Sequence, residues 1–225
     1  MDIEISTPYI NIHTHSINTG NELVVLNVYP SDTLPDHVYL SSGIHPWYTD
    51  DWEKQMQRLK ELAADNRIVA IGECGLDTKS KTPMEVQKKI FSQQVELSET
   101  FNKPLIIHCV KAFNELIQIH KKLKPAMPWI IHGFNPNMEI ANRCLELQMK
   151  LSFGKSLLLE NIQQESIIQH IPVSSVFLET DESEIAITEL YNRYAAIKEL
   201  PLESLKTEMM NNFKACFNKL KIVHS

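Results

Sequence analysis

Eight short runs of mostly apolar, often β-branched residues recur along the chain, and their order constrains the fold more than any other feature. The runs are YINIHTH, ELVVLNV, HVYLSSGIHP, RIVAIGECGLD, PLIIHCV, PWIIHGF, KLSFG and VFLETD. From the third run onward, segments with the apolar spacing of helices separate them. Strands that alternate with helices form a parallel sheet, and eight such strands predict an α/β fold, a closed (β/α)8 TIM barrel.

The connections after the first two strands are too short for the usual crossover. Only SINTGNE joins strands one and two, and only YPSDTLPDH joins strands two and three. A parallel crossover takes about a dozen residues and usually contains a helix. We therefore expect a trimmed barrel in which the helices after the first two strands are shortened or missing, with no helix of three turns or more between Ser16 and His37.

In the later connection TPMEVQ, Thr82, Pro83 and Glu85 predict a helical capping box.

Composition narrows the class of protein. The chain has 225 residues and a net charge of −6, from 22 Lys plus Arg and 28 Asp plus Glu. This length fits one domain. The chain has no overall positive charge to attract nucleic acid, although local basic patches or bound cations could still provide positive charge. No apolar run approaches the length of a membrane span, and the N-terminal residues lack the pattern of a secretory signal. The four cysteines form no C-x-x-C pair, so we expect a cytoplasmic protein with reduced thiols.

Histidines and carboxylates gather at the C-terminal ends of the predicted strands, where barrels form their sites. The six candidates on five strands are His13, His15, Glu73, His108, His132 and Asp181. A single histidine at a strand end is more often an ordinary hydrogen-bonding residue than a ligand. Six such residues at the same end indicate a shared metal site. By alternation along their strands, Cys74 and Cys109 should face away from it, towards the helices.

The ligand types indicate the chemistry. Four histidines and two carboxylates suit two divalent cations that share a bridging carboxylate and a bridging water or hydroxide. Metal binding lowers the pKa of the water towards neutrality, and a carboxylate at the end of strand eight can accept its proton. Imidazole-rich ligation favours zinc, nickel or manganese, and the carboxylates also admit magnesium.

The motifs NIHTH, GIHPW, IGECGLD, NKPLIIHC, IHGF, LETD and NNFKACF follow one another between residues 11 and 217. Their order and spacing resemble those of the TatD-type metal-dependent deoxyribonucleases, which are amidohydrolase-like barrels. The resemblance implies a single TatD-like hydrolase domain over residues 1–225. It also implies two divalent metal ions and hydrolysis of phosphodiester bonds in DNA.

The resemblance also implies a role for each residue that matches a family motif. The first metal would be held by His13, His15, Glu73 and Asp181. The second would be held by Glu73, His108 and His132. Asp181 would orient or deprotonate the attacking water, so Asp181 and the bridging Glu73 are the expected catalytic residues. His45 and Lys111 are the expected substrate-binding residues, although His45 could equally fix the turn before Pro46.

The sequence departs from the family pattern in four places. Asn11 stands where the family usually has Asp, and Val110 where it usually has Arg. Glu182 and Glu184 follow LETD in place of Ser-Pro, and the segment between His15 and the strand-three motif is short. The ligands are retained, whereas the usual phosphate-binding surroundings are changed.

Three hypotheses about function therefore stand. The first is a deoxyribonuclease that acts on DNA ends. The second is an amidohydrolase-like hydrolase of a small ester, lactone, amide or phosphoester, and the third is a catalytically impaired metal-binding homologue. Glu73 occupies the place of the strand-four lysine of typical amidohydrolases, which favours the first hypothesis. The expected partners are DNA ends or a small phosphoester, with no membrane, and the expected state is a monomer or weak homo-oligomer.

Overall fold

The computed structural model describes residues 7–17, 20–159 and 161–217. Eight parallel strands, β1 to β8, lie in one sheet in chain order. Their bounds are Tyr9–Thr14, Glu22–Val28, Tyr39–Ser42, Ile68–Asp77, Leu105–Val110, Trp129–Ile131, Lys150–Phe153 and Val176–Leu178. β8 meets β1 just past its end, where Thr14 pairs with Asp181. The Asp181 N–H donates to the His13 carbonyl at 3.0 Å, and the His15 N–H donates to the Asp181 carbonyl at 3.1 Å. The predicted (β/α)8 barrel is confirmed.

Seven α-helices occupy the described ranges, and all of them follow β3. Numbered α1 to α7, they are Trp52–Leu62, Met84–Phe101, Phe113–Leu123, Met138–Glu146, Ile162–His170, Ile187–Lys198 and Leu202–Cys216. Short 3-10 helices at Lys155–Leu158 and Val173–Ser175 complete the connections on either side of α5. We did not predict α6, although its buried Ile187, Leu190 and Tyr194 have helical spacing.

The barrel is trimmed as expected. The described residues between Ser16 and His37 contain no helix. An apolar cluster covers this flank instead, in which Leu34 and Val38 from the connecting loop pack against buried side chains of β2, β3, β4 and α1. Helix α7 covers the side of the barrel where β1 meets β8, because Lys206 Nζ of this helix lies 4.7 Å from the centre of the Tyr9 ring on β1. The loss of two helices is therefore compensated by a loop and by the last helix.

The loops after β3 and β4 are tied together at the C-terminal end of the barrel. The Thr82 hydroxyl is hydrogen bonded to the Thr49 hydroxyl at 2.6 Å. The predicted capping box is wrong, because α2 begins at Met84 with Pro83 as its N-cap and no side chain caps it. Thr82 is instead used to join the two loops.

Candidate metal centre

The first predicted group of ligands converges on one oxygen of Glu73. Glu73 Oε2 lies 3.5 Å from His13 Nε2 and 3.6 Å from His15 Nε2. Asp181 Oδ1 lies 3.5 Å and 3.6 Å from the same two nitrogens. β1 supplies His13, the turn after it supplies His15, and the segment after β8 supplies Asp181. The structure thus brings the four predicted ligands of the first metal together.

These separations suit a shared cation better than direct hydrogen bonds. They exceed the usual N–H···O length. In the described part of the chain, both ring nitrogens of His13 are buried without a hydrogen-bond partner. In a tetrahedral site with bonds of ~2.1 Å, neighbouring ligand atoms lie ~3.4 Å apart. The nitrogen and oxygen atoms around His13 therefore fit a divalent metal ion.

The second predicted group surrounds the other oxygen of the same carboxylate. Glu73 Oε1 lies 2.8 Å from His132 Nε2 and 3.0 Å from His108 Nδ1. The two imidazole nitrogens are 3.3 Å apart. His45 Nε2 also lies 3.1 Å from Glu73 Oε1, so the structure places this expected substrate-binding residue directly beside the second group. Each oxygen of Glu73 faces a different set of histidines, which is the arrangement of a bridging ligand.

Two further carboxylates support the histidines of the second group. Asp77 Oδ2 lies 3.0 Å from His108 Nε2, and Glu179 Oε1 lies 3.3 Å from His132 Nδ1. Metal-ligating histidines commonly donate their other ring N–H to a carboxylate in this way. We did not predict either residue as part of the site. The signal was present, since both lie inside the motifs GECGLD and LETD, at or just after strand ends.

The backbone of β4 is shaped to present Glu73. The Glu73 N–H donates to Asn27 Oδ1 on β2 at 2.8 Å. Gly72 and Gly75 flank this part of the strand with φ values of 154° and 148°. A Cβ at Gly75 would overlap the carbonyl oxygen of His108, and one at Gly72 would overlap that of Ile106. Glycine at these two positions lets β4 and β5 approach closely enough for Glu73 to reach His108.

The electrostatics of the site favour cations. Burial lowers the pKa of His13, but the carboxylates of Asp181 and Glu73 outweigh it and raise this pKa to about 9. Burial raises the pKa of Asp181, yet the contact with His13 lowers it to about 2. Burial likewise raises the pKa of Glu73, but the charge on His132 and hydrogen bonds from the neighbouring histidines hold it well below the usual range. Both carboxylates are therefore ionised at neutral pH.

The other residues noted in the sequence occupy a strand end, the first strand and the hydrophobic core. Lys111 directly follows β5, is exposed, and has a φ of 54°. Asn11 exchanges two hydrogen bonds with Thr180, at 2.9 Å and 3.1 Å, so it fixes the backbone just before Asp181. Cys74 is fully buried in the hydrophobic core, and Cys109 packs against that core from a partly buried position.

Within the described ranges, every helix is too short or too polar to cross a bilayer.

The sequence is similar to that of known metal-dependent hydrolases. A model of the family described as "TatD related DNase" matches residues 12–218. YabD of Bacillus subtilis, an uncharacterized metal-dependent hydrolase, is 34% identical over 150 residues, which are 65% of this chain and 59% of the relative. The 3'-5' ssDNA/RNA exonuclease TatD of Yersinia pseudotuberculosis is 27% identical over 158 residues, with coverages of 65% and 58%. The matches thus span less than two thirds of these relatives.

Solved structures share the fold over nearly the whole chain. The TatD homologue YjjV of Escherichia coli superposes with a TM-score of 0.81 at 17% identity, covering 94% of this chain and 98% of that one. A TatD family hydrolase of Entamoeba histolytica superposes with a TM-score of 0.74 at 16% identity and the same coverages. Together with the family match over residues 12–218, these likenesses agree with the barrel and its motifs. The chain belongs to the TatD-related DNase family of metal-dependent hydrolases.

Proposed function

We propose that the chain is a two-metal hydrolase that cleaves phosphodiester bonds at DNA ends. The observation that carries this proposal is the position of Glu73, whose two carboxylate oxygens face two separate groups of histidines. Two cations held by one bridging carboxylate form a clamp suited to in-line displacement at phosphorus. His13, His15, Glu73 and Asp181 would hold the first cation, and Glu73, His108 and His132 the second.

Zinc, manganese, nickel and magnesium are the candidate cations. Once bound, such ions activate water as a nucleophile and polarise the phosphoryl group. The chain itself supplies the proton acceptor. The side chain of Asp181 is 39% exposed and that of Glu73 is 7% exposed, so Asp181 is the carboxylate that incoming water can reach. It is ionised at neutral pH, as proton acceptance requires.

The strand polarity and the substrate form are taken from a relative. The Yersinia pseudotuberculosis protein is named a 3'-5' ssDNA/RNA exonuclease, and we propose a single-stranded end as the substrate here too. Exposed Lys79 and Lys81 after β4, and Lys111 after β5, provide local positive charge at the mouth despite the net charge of −6. We further propose a single domain over residues 1–225 that acts in the cytoplasm as a monomer or weak homo-oligomer.

A small phosphoester or ester is a second candidate substrate. Glu182 and Glu184 are exposed directly after Asp181, and their charges would repel a long polyanion that crossed this side of the mouth. A short substrate would avoid them. Discrimination between the two candidates requires a comparison of substrate length.

The deciding experiment is metal analysis of the purified protein together with an activity panel. Chelator-stripped protein would be reloaded with each candidate cation. It would then be offered single-stranded and duplex oligonucleotides, a bis-aryl phosphodiester, esters and lactones. We expect release of nucleotides from single-stranded ends only after reloading. Hydrolysis of esters or lactones without any phosphodiester cleavage would contradict the proposed function. In the same panel Glu73→Gln should lose hydrolysis, whereas the matched control Glu85→Gln, on the exposed surface of α2, should keep it.

A further inference from the structure

Two large aromatic side chains lie exposed next to the metal centre. Trp47 and Tyr48 follow His45 in the loop after β3, and they are 53% and 52% exposed. Exposed aromatic residues are common singly, but two in succession beside a catalytic centre indicate a contact surface. Tyr29, directly after β2, adds a third ring whose centre lies 5.4 Å from that of Tyr48. We call Tyr29, Trp47 and Tyr48 the aromatic platform.

The platform is held in place although it faces solvent. The indole N–H of Trp47 donates to Asp77 Oδ2 at 2.6 Å, and its backbone N–H donates to His45 Nδ1 at 3.1 Å. The Tyr48 N–H donates to the His45 carbonyl at 3.0 Å. Ser80 of the next loop donates its hydroxyl to the carbonyl of the intervening proline at 2.6 Å. A fixed exposed ring binds with little loss of conformational entropy.

The platform begins one side chain away from the predicted ligands. The His45 ring centre is 6.3 Å from that of Trp47 and 5.4 Å from that of Tyr48. On its other edge, His45 Nε2 is 3.1 Å from Glu73 Oε1. The separation between the platform and Glu73 is therefore comparable to the length of one nucleotide. A base could stack on the platform while its phosphate lies at Glu73.

The charges around the mouth give the substrate a direction. Exposed Lys79 and Lys81 lie in the loop after β4, which touches the platform loop. Acidic residues lie near Tyr29, since Asp32 Oδ2 accepts a hydrogen bond from the Tyr29 N–H at 2.7 Å, and exposed Glu182 directly follows Asp181. An anionic backbone would be attracted towards the loops after β4 and β5 and repelled from the loop after β8. Aromatic faces bordered by lysines match a single strand of nucleic acid.

We propose that Trp47 and Tyr48 stack against the terminal nucleobase of a single-stranded nucleic acid while its phosphate lies at Glu73. This inference rests on the proposed phosphodiester hydrolysis and adds a determinant of substrate choice. Because Asp77 contacts both the Trp47 indole and His108, the platform has a fixed position relative to the second metal group. Stacking tolerates any base, so the enzyme would require a base at the terminal position without selecting which base it is.

The test compares pairs of single-stranded oligonucleotides of equal length whose terminal nucleotide carries a base or is abasic. The measured quantity is the ratio of kcat/KM between the two members of a pair. We expect the wild-type ratio to favour the base by about tenfold, the scale of one base stacked on an aromatic ring. Trp47→Leu and Tyr48→Leu should each bring the ratio towards one, whereas Tyr48→Phe should retain it. Leu123→Ala, an exposed apolar residue at the end of α3, is the matched control for lost surface area and should also retain it.

The outcomes separate this inference from the function on which it rests. If the protein cleaves oligonucleotides but the wild-type ratio is near one, or if neither leucine variant changes it, the platform assignment is overturned and the proposed function stands. If no oligonucleotide is cleaved with any reloaded cation, both are overturned. A ratio that falls in the two leucine variants alone supports the stacking of the terminal base.

Discussion

Asp77 Oδ2 lies 3.0 Å from His108 Nε2, on the edge of the imidazole opposite to Nδ1, which lies 3.0 Å from Glu73 Oε1. An N–H at Nε2 donates to the carboxylate and leaves Nδ1 free to accept a cation. The same Asp77 oxygen accepts a hydrogen bond from the indole of Trp47 at 2.6 Å. One buried carboxylate therefore sets the tautomer of a predicted ligand and the position of an aromatic ring at the mouth.

Asp77→Asn should weaken the second metal selectively. The Asp77 carboxylate accepts hydrogen bonds at Oδ2 from His108 and Trp47, and at Oδ1 from the Lys79 N–H. An amide has only one acceptor oxygen, so in either orientation its NH2 group faces one of these donors and the grip on His108 is weakened. Loss of such a supporting carboxylate typically costs about 10–100-fold in metal affinity. Competition with a chelator of known affinity would measure the loss. The exposed Asp32→Asn is the control, and wild-type affinity for both cations in Asp77→Asn would show that Asp77 does not position His108.

Glu73→Ala should lower the occupancy of both metal positions. Its two oxygens face different histidine groups, so alanine removes a predicted ligand from both positions at once. We expect the metal content after dialysis to fall at both positions and hydrolysis to be lost. Elemental analysis of the purified variant measures this directly. Glu85→Ala, on the surface of α2, should bind as the wild type does, and full metal content in Glu73→Ala would refute the bridging role.

Asp181→Asn should remove hydrolysis while keeping the fold. Asn has nearly the same shape but cannot accept a proton at neutral pH. It also tolerates the left-handed backbone of residue 181, which has a φ of 53°. We expect kcat to fall at least ~10²-fold, the scale of a positioned general base. In the metal-loaded protein, the fold and much of the metal content should be kept. Turnover close to that of the wild type would exclude Asp181 as the proton acceptor.

The metal-free protein should lose stability as the pH rises above neutrality. The pKa of His13 is raised from 6.5 to about 9 in the folded protein, so its contribution is complete below pH 6.5 and is lost as the pH rises through about 9. The pKa of Asp181 is lowered from 3.8 to about 2, so its contribution is present above pH 3.8 and is lost as the pH falls through about 2. Both contributions are complete only between about pH 3.8 and pH 6.5, where the pair stabilises the metal-free fold most.

Urea unfolding of chelator-stripped protein at a series of pH values measures this dependence. In His13→Asn the decline in the free energy of unfolding between pH 6.5 and about 9 should be reduced. The exposed His170→Gln on α5 is the matched control and should keep the wild-type profile. A wild-type profile in His13→Asn would show that His13 is not the group responsible.

Local patterns were sufficient for the strands and for the residues that end them. Period-two alternation separated Glu73, which faces the site, from Cys74, which lies in the hydrophobic core. The short connections correctly predicted the missing helices. Helix α6 was not predicted, although its buried Ile187, Leu190 and Tyr194 have the apolar spacing of a helix. The capping box failed because Thr82 found a partner in a different loop.

The contacts that support the site could not be predicted in the same way. Asp77 and His108 are 31 residues apart, and His132 and Glu179 are 47 residues apart. No local periodicity relates such residues, because their contact depends on the spacing and shear of the closed barrel. The same holds for His45, whose imidazole reaches Glu73 only because the loop after β3 turns inward. Residue type and strand position led to six predicted ligands, which the structure brings together, while tertiary geometry determined which groups surround them.

The few hydrogen bonds that Asp181 makes with β1 have a consequence for how the protein responds to heat. β8 itself is only three residues long. The junction just beyond it is held by the backbone hydrogen bonds of Asp181 and by those of Thr180 with Asn11 and Thr14. Short segments with few hydrogen bonds open before the rest of a domain. When this junction opens, Asp181 separates from His13 of β1 and from His15 in the turn after it at the same moment. We therefore expect hydrolytic activity to be lost on heating at a lower temperature than the circular dichroism signal of the folded barrel.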